Sequence, residues 1–167
     1  MAVKRQVFYS FHYKNDVLRV SQIRNIGALA DNKPVSENDW EEVKKKGEAG
    51  IKKWIDSSMN NRSCVIVLIG EETSKRKWVK YEIEKAWNSG KGVLGVYIHN
   101  IKCPNKGKSK YGANPFDNFT LNKGKTKLSS VVKCYNPTPS DAYKSIANNL
   151  ESWIEEAIKI RKEYKNT

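Results

Sequence analysis

Few side chains in this sequence are placed to do chemistry. His12 and His99 are the only histidines, and Cys64, Cys103 and Cys134 lie far apart with no CxxC pair. That spacing supplies neither the ligands of a structural zinc site nor an even disulfide framework, so no metal is expected. Glu82 is a different case, because it stands four residues after Trp78 in a segment with helical patterning. At 100° per residue, measured from Trp78, the residues Val79, Ile83, Ala86 and Trp87 fall at about 100°, 140°, 80° and 180°, an apolar face centred near 120°. Glu82 falls near 40°, on the flank of that face and beside Trp78, whereas Glu84 falls near 240°, on the opposite side. Only Glu82 can therefore reach a cleft. Helix geometry by itself favours a solvated acid paired with Lys80 or Lys85 over a catalytic carboxylate.

The elements that must position these residues follow from apolar periodicity. Residues 7–11 form a short β-rich run that ends in the polar cluster 12–16, after which Val17, Leu18, Val20, Ile23 and Ile26 recur at helical spacing. A loop at 31–34 precedes Ser36 and Asp39, spaced as a capping box, and a short helix carrying Trp40 and Val43 should end near Gly47. The next helix has Ile51, Trp54, Ile55, Ser58 and Met59 on one stripe. It leads into residues 64–70, a run apolar on both faces, as a central parallel strand requires. Ser74 is the expected cap of the helix bearing Glu82, which should run to about Ser89 and Gly90, and residues 93–98 form another buried strand.

Residues 100–126 change character, becoming rich in Lys, Asn and Gly. They read as a basic loop insertion over the sheet edge, partly ordered by Tyr111, Phe116 and Phe119. Within it and just beyond, residues 102–127 should add little apolar burial, and shortening them should leave a cooperative folded domain. Residues 131–135 form a last strand. Thr138, Pro139 and Asp141 then give a cap, a first-turn proline and an acid for a closing helix over 139–163, whose stripe is Ile146, Leu150, Trp153, Ile154, Ala157 and Ile158.

Strands alternating with helices specify a single three-layer α/β domain over 1–167, flavodoxin-like, with a central parallel sheet of four to five strands and helices on both faces. Ligands of such sheets sit beyond the carboxyl ends of the strands, so residues 10–16, residues 70–74 and the start of the following helix should border one cleft. No apolar run is long enough to span a membrane and no signal-peptide pattern opens the chain, so a soluble cytoplasmic protein is expected. The formal net charge of +13 favours anionic partners such as a dinucleotide, an acidic protein or nucleic acid. No helix concentrates Arg and base-reading residues on one face, which disfavours specific nucleic-acid binding.

Residues 7–11 with the polar loop to Asp16 resemble the first motif of Toll/interleukin-receptor (TIR) domains, a short hydrophobic strand ending in Ser and an aromatic. Trp78-Val79-Lys80-Tyr81-Glu82 resembles the TIR W-x-x-x-E segment, whose glutamate is catalytic in the NAD-cleaving members. The phrase of strand 64–70, loop, Ser74 and then Trp78 to Trp87 is similar to the TIR-like proteins of the bacterial Thoeris antiphage defence system. The likeness covers about residues 5 to 100 well and the remainder loosely. His12-Tyr13 departs from the charged or small residues common after the first TIR strand, and residues 25–40 have no evident counterpart.

The resemblance implies an enzyme, a NAD+ nucleosidase or ADP-ribosyl cyclase-type hydrolase, that takes NAD+ as substrate and needs no cofactor. Glu82 would be catalytic, and the binding candidates are Ser10, Phe11, His12, Asn15 and Trp78. Phe11 could stack on a ring of the substrate, His12 or Asn15 could hydrogen-bond its ribose or diphosphate, and Ser10 could fix the turn. A core aromatic, a surface histidine and loop caps are equally open readings of those residues. The product would be a cyclic or modified ADP-ribose messenger acting on an effector protein, and a homo-oligomer is compatible with the family. The rival readings are a non-enzymatic TIR-type interaction module and a flavodoxin-like nucleotide or nucleic-acid binder using the basic insertion.

Overall fold

The computed structural model describes residues 6–12, 22–23, 42–60, 62–101, 108, 110–121 and 123–164. Its main sheet is built from β1 (Val7–Ser10), β2 (Cys64–Ile69), β3 (Gly92–Tyr97) and β6 (Cys134–Tyr135), in the order β1-β2-β3-β6. All its pairings are parallel, with Ser10 level with Val67 and Val67 level with Gly95. Among the described residues, the helices with both ends in view are α1 (Gly47–Met59), α2 (Lys77–Asn88) and α3 (Ala142–Glu163), and β4 (Thr120–Leu121) pairs antiparallel with β5 (Thr126–Lys127) in a separate ribbon. The expected helix around residues 17–26 and the capping box at 36–39 fall largely outside the described residues, although Ile23 and Val43 are both buried.

The alternation of side chains along each strand sorts the core into two layers. Phe8, Val65, Val67, Ile69, Val93 and Tyr97 face Ile51, Ile55 and Met59 of α1 and Val79, Ile83, Ala86 and Trp87 of α2. Val7, Tyr9, Cys64, Ile66, Leu68, Leu94 and Val96 face Ile146, Leu150, Ile154 and Ala157 of α3. Strands covered on both faces need apolar residues at every position, which is why β2 reads Cys-Val-Ile-Val-Leu-Ile without a polar break. This is the expected three-layer α/β fold, with four strands in the described sheet.

Several local expectations are corrected. Ser74 does not cap α2: it lies in a 3-10 turn, Thr73–Lys75, and the residue before the helix is Arg76, which makes no side-chain capping bond. The last strand is only Cys134–Tyr135, because Leu128–Ser130 forms a 3-10 turn and Val131 adopts a helical backbone, so Val131 and Val132 reach the core from a turn. The closing helix starts at Ala142, later than 139, with the Lys144 amide donating to Asp141 Oδ1 at 3.3 Å. Asp141 is therefore the cap, and Thr138 and Pro139 precede the helix.

The insertion also differs from a loop of low apolar burial. Phe116, in a 3-10 turn spanning Pro115–Asn118, is fully buried, and Leu121 joins the same α2-side core. Gly95 makes room for it: a Cβ there would lie 3.0 Å from the Phe116 ring, 2.8 Å from Ile69 Cδ1 and 2.7 Å from Cys134 Sγ. One aromatic side chain thus plugs the sheet face where β3 has no side chain. The expectation of little apolar burial in this segment is corrected at Phe116 and Leu121.

Candidate functional site

Strand alternation places Ser10 on the same face as Phe8, toward α2, at the carboxyl end of β1. Glu82 comes down onto it from the second turn of α2. The Ser10 hydroxyl donates to Glu82 Oε1 at 3.1 Å across 72 residues of sequence, and the two side chains are 0% and 7% exposed. Nothing local holds α2 at this height by capping. The turn before it is ordered by Thr73 instead, whose buried Oγ1 accepts from the Gly70 amide at 2.7 Å and reaches the Leu68 carbonyl at 3.5 Å. Tyr81 ties the other flank of the helix to α1 by donating to Asp56 Oδ1 at 2.8 Å.

Burial dominates the electrostatics of the pair. Removal from water raises the Glu82 carboxyl to about 8, against a smaller downward pull from the Ser10 hydrogen bond. A carboxylic acid that titrates near neutrality in a protein interior is poised for catalysis or for binding a cationic group, and is an unusual choice for packing alone. The structure therefore replaces the solvated acid paired with Lys80 or Lys85 by a buried carboxyl bonded to Ser10. Glu84, on the same helix, is exposed as its helical phase requires.

The remaining candidates divide. Trp78 is half-buried against the α2-side core, edge-on to Tyr81 at 5.8 Å, with Lys77 Nζ 5.1 Å from its ring centre. His12 is buried directly after β1, not a surface histidine. Phe11 packs against the α3-side cluster, the opposite layer from Glu82, which matches a core aromatic. Asn15 lies outside the described residues. Thr73 was not singled out from sequence, although it belongs to the 70–74 segment at a strand's carboxyl end, and a Thr three residues after Gly70 is the signal that could have found it.

A cavity of about 550 Å³ lies elsewhere, between α1 and the end of α2, lined by Lys52, Lys53, Asp56, Lys85 and Lys91 among others. It runs along α1 from Ala49 to Asn60 and meets the carboxyl end of α2 at Lys85 and Ser89. Lys85 stands in the last turn of α2, where a cation complements the negative helix end, and the cavity contains neither Ser10 nor Glu82. Among the described residues no group of three or more His, Cys, Asp or Glu is arranged to hold a metal. Burial pushes the Cys134 thiol up to about 12 and raises that of Cys64 as well, so neither is an activated nucleophile.

The profile of the family described as Thoeris protein ThsB, TIR-like domain, matches residues 8–102. The chain belongs to this family. The matched span contains all of β1 but its first residue, with α1, β2, α2 and β3, and so both members of the Ser10–Glu82 pair. The chain is also 35% identical over 118 residues to a protein of Bacillus cereus (strain MSX-D12) provisionally named cyclic ADP-D-ribose synthase ThsB1. That alignment covers 68% of this chain and 62% of the relative, so the chain spans about three fifths of the relative's length. No helix among the described residues is long and apolar enough to cross a membrane.

Proposed function

We propose that this ThsB-type TIR-like domain cleaves NAD+ in the cytoplasm at the nicotinamide–ribose bond, and that the product is a cyclic or otherwise modified ADP-ribose that signals to an effector protein in antiphage defence. The observation that carries the reading is the Ser10–Glu82 pair, a buried carboxyl at the carboxyl ends of parallel strands. The name of the Bacillus cereus relative supports the choice of substrate and product.

The chemistry needs little machinery. As the bond between the ribose anomeric carbon and the pyridinium nitrogen breaks, its electron pair neutralises the ring, so nicotinamide leaves uncharged and needs no general acid. Positive charge develops on the ribose, and one carboxylate in a dry site can stabilise it and hold the ribose hydroxyls. Glycosidases that must protonate a leaving oxygen need a second carboxyl for that step. Capture by water releases a proton and gives ADP-ribose, whereas capture by a group on the adenosine part of the same molecule adds no water and gives a cyclic ADP-ribose, one water lighter. The Glu82 carboxyl is largely protonated at pH 7 in the free protein, and the cationic ring of NAD+ arriving beside it favours its ionised form. NAD+ itself brings all the reactivity, so no cofactor is invoked.

The test is prolonged incubation of protein from phage-challenged cells with NAD+, followed by mass spectrometry. Nicotinamide should appear in step with ADP-ribose or with a cyclic form one water lighter. No nicotinamide above the protein-free background would refute the reading and leave a non-enzymatic interaction module as the account of the fold.

A further inference from the structure

The carboxyl edge of the sheet carries a second feature, two strands away from Glu82. Tyr111, from the insertion, is 58% exposed, yet its ring is not loose. It stacks on Tyr97 at the end of β3, with centroids 4.6 Å apart and planes 22° from parallel, and His99 meets it edge-on at 5.2 Å. The segment is pinned beneath the ring: a Cβ on Gly112 would lie 2.0 Å from the Gly70 carbonyl oxygen, so only glycine lets this backbone seat on the end of β2. Asn118 secures the far side by donating to the Ser74 carbonyl at 3.3 Å. An aromatic face is thus held open to solvent by a rigid mount.

His99 adds a polar element. It is buried, and its Nδ1 has no hydrogen-bond partner among the described residues, while Nε2 lies 3.2 Å from Asn100 Nδ2. Burial, with a smaller contribution from the charge of Lys108, lowers its pKa, so the ring is held neutral. A buried neutral imidazole with an unused nitrogen beside an exposed stacked ring is what a heteroaromatic base with polar edges would complete.

Register gives the distance to the catalytic pair. Ser10 is level with Gly95, and Tyr97 is two residues further along β3 on the same sheet face. Two strand spacings and two residues of rise put the backbones of Ser10 and Tyr97 roughly 12 Å apart. That is comparable with the separation of the two bases in an extended dinucleotide. With the reacting ribose at Glu82, the group arriving at Tyr111 is the far one.

We propose that Tyr111, mounted on Tyr97 and flanked by His99, is the stacking platform for the adenine base of the dinucleotide, an inference that rests on the NAD+ reading above. The platform can be read without turnover, by calorimetric titration of the full chain with AMP. Stacking on one aromatic ring is worth enough that Tyr111→Ala should weaken AMP binding on the order of tenfold or more, while Tyr111→Trp, which keeps a stacking face, should retain it. Because the ring is mostly exposed, the Tyr111→Ala protein should keep its melting temperature. In turnover, Tyr111→Ala should raise KM for NAD+ and leave cleavage of nicotinamide mononucleotide, which lacks adenosine, unchanged. AMP binding that is absent from wild type, or equal in wild type and Tyr111→Ala, would overturn the platform. Neither result would touch Glu82, whereas AMP binding with no NAD+ cleavage would sink the proposed reaction and leave the platform standing.

Discussion

Replacing Glu82 by glutamine should make the domain more stable relative to wild type as pH rises. In the folded protein the carboxyl titrates near 8, raised by burial, against an ordinary value of 4.5. Folding therefore favours the protonated form, and the stability this contributes is present in full below pH 4.5 and is lost as pH climbs toward 8. The loss is near zero at pH 4, about 3 kcal/mol at pH 7 and levels off at roughly 5 kcal/mol above pH 9. Glutamine keeps the shape, can still accept from the Ser10 hydroxyl, and never ionises. Urea unfolding of both proteins from pH 4.5 to 8 measures the difference in stability, and in that difference every other titrating group cancels. The Gln variant should gain about 3 kcal/mol on wild type between pH 4.5 and 7. A difference that stays flat with pH would mean that the carboxyl is hydrated or paired with a cation, and would refute the buried-acid description.

The same pKa sets the rate profile: kcat/KM for NAD+ should climb with pH and level off above about 8, since the ionised form does the work and kcat/KM reports the free enzyme. A profile flat from pH 6 to 9 would contradict it. Ser10→Ala removes the hydrogen bond that pulls the carboxyl down, so the rising limb should move to higher pH, and an unmoved or lowered limb would show that the bond does not favour the ionised form. Phe116→Ala empties the pocket over Gly95 and should cost about 3 to 5 kcal/mol in urea unfolding, a loss below 1 kcal/mol showing that the insertion is not part of the core.

What the sequence disclosed follows the range of the interactions involved. The apolar face of α2 was legible because Val79, Ile83, Ala86 and Trp87 repeat at helical spacing, and all four are buried. β2 and β3 were legible as unbroken apolar runs. The phase of Glu82 was legible too, but its environment was not: whether a carboxylate on the flank of a stripe meets water or a strand end depends on a partner 72 residues away. The insertion misled for a related reason. Its lysines and glycines set its average character, yet Phe116 and Leu121 carry it into the core, and the vacancy Phe116 fills exists only because a glycine stands at position 95 on a neighbouring strand. Caps were misplaced by a few residues at Ser74 and Thr138 because Ser, Thr and Asp all offer the same acceptor, and only the backbone selects among them. The aromatic mount of Tyr97, His99 and Tyr111 joins residues 97, 99 and 111 across a loop, a proximity that periodicity does not encode.

The negative charge at position 82 is the group on which the proposed cleavage depends. Nicotinamide release from NAD+ should be measured in parallel for wild type, Glu82→Gln and Glu84→Gln, with far-ultraviolet circular dichroism showing that all three are folded. Glutamine in place of Glu82 preserves shape and removes the negative charge that a cationic transition state requires, so release should fall on the order of a hundredfold or more. Glu84 is exposed on the opposite side of the same helix, and its variant should cleave NAD+ like wild type. Equal release from wild type and Glu82→Gln would contradict the catalytic assignment directly.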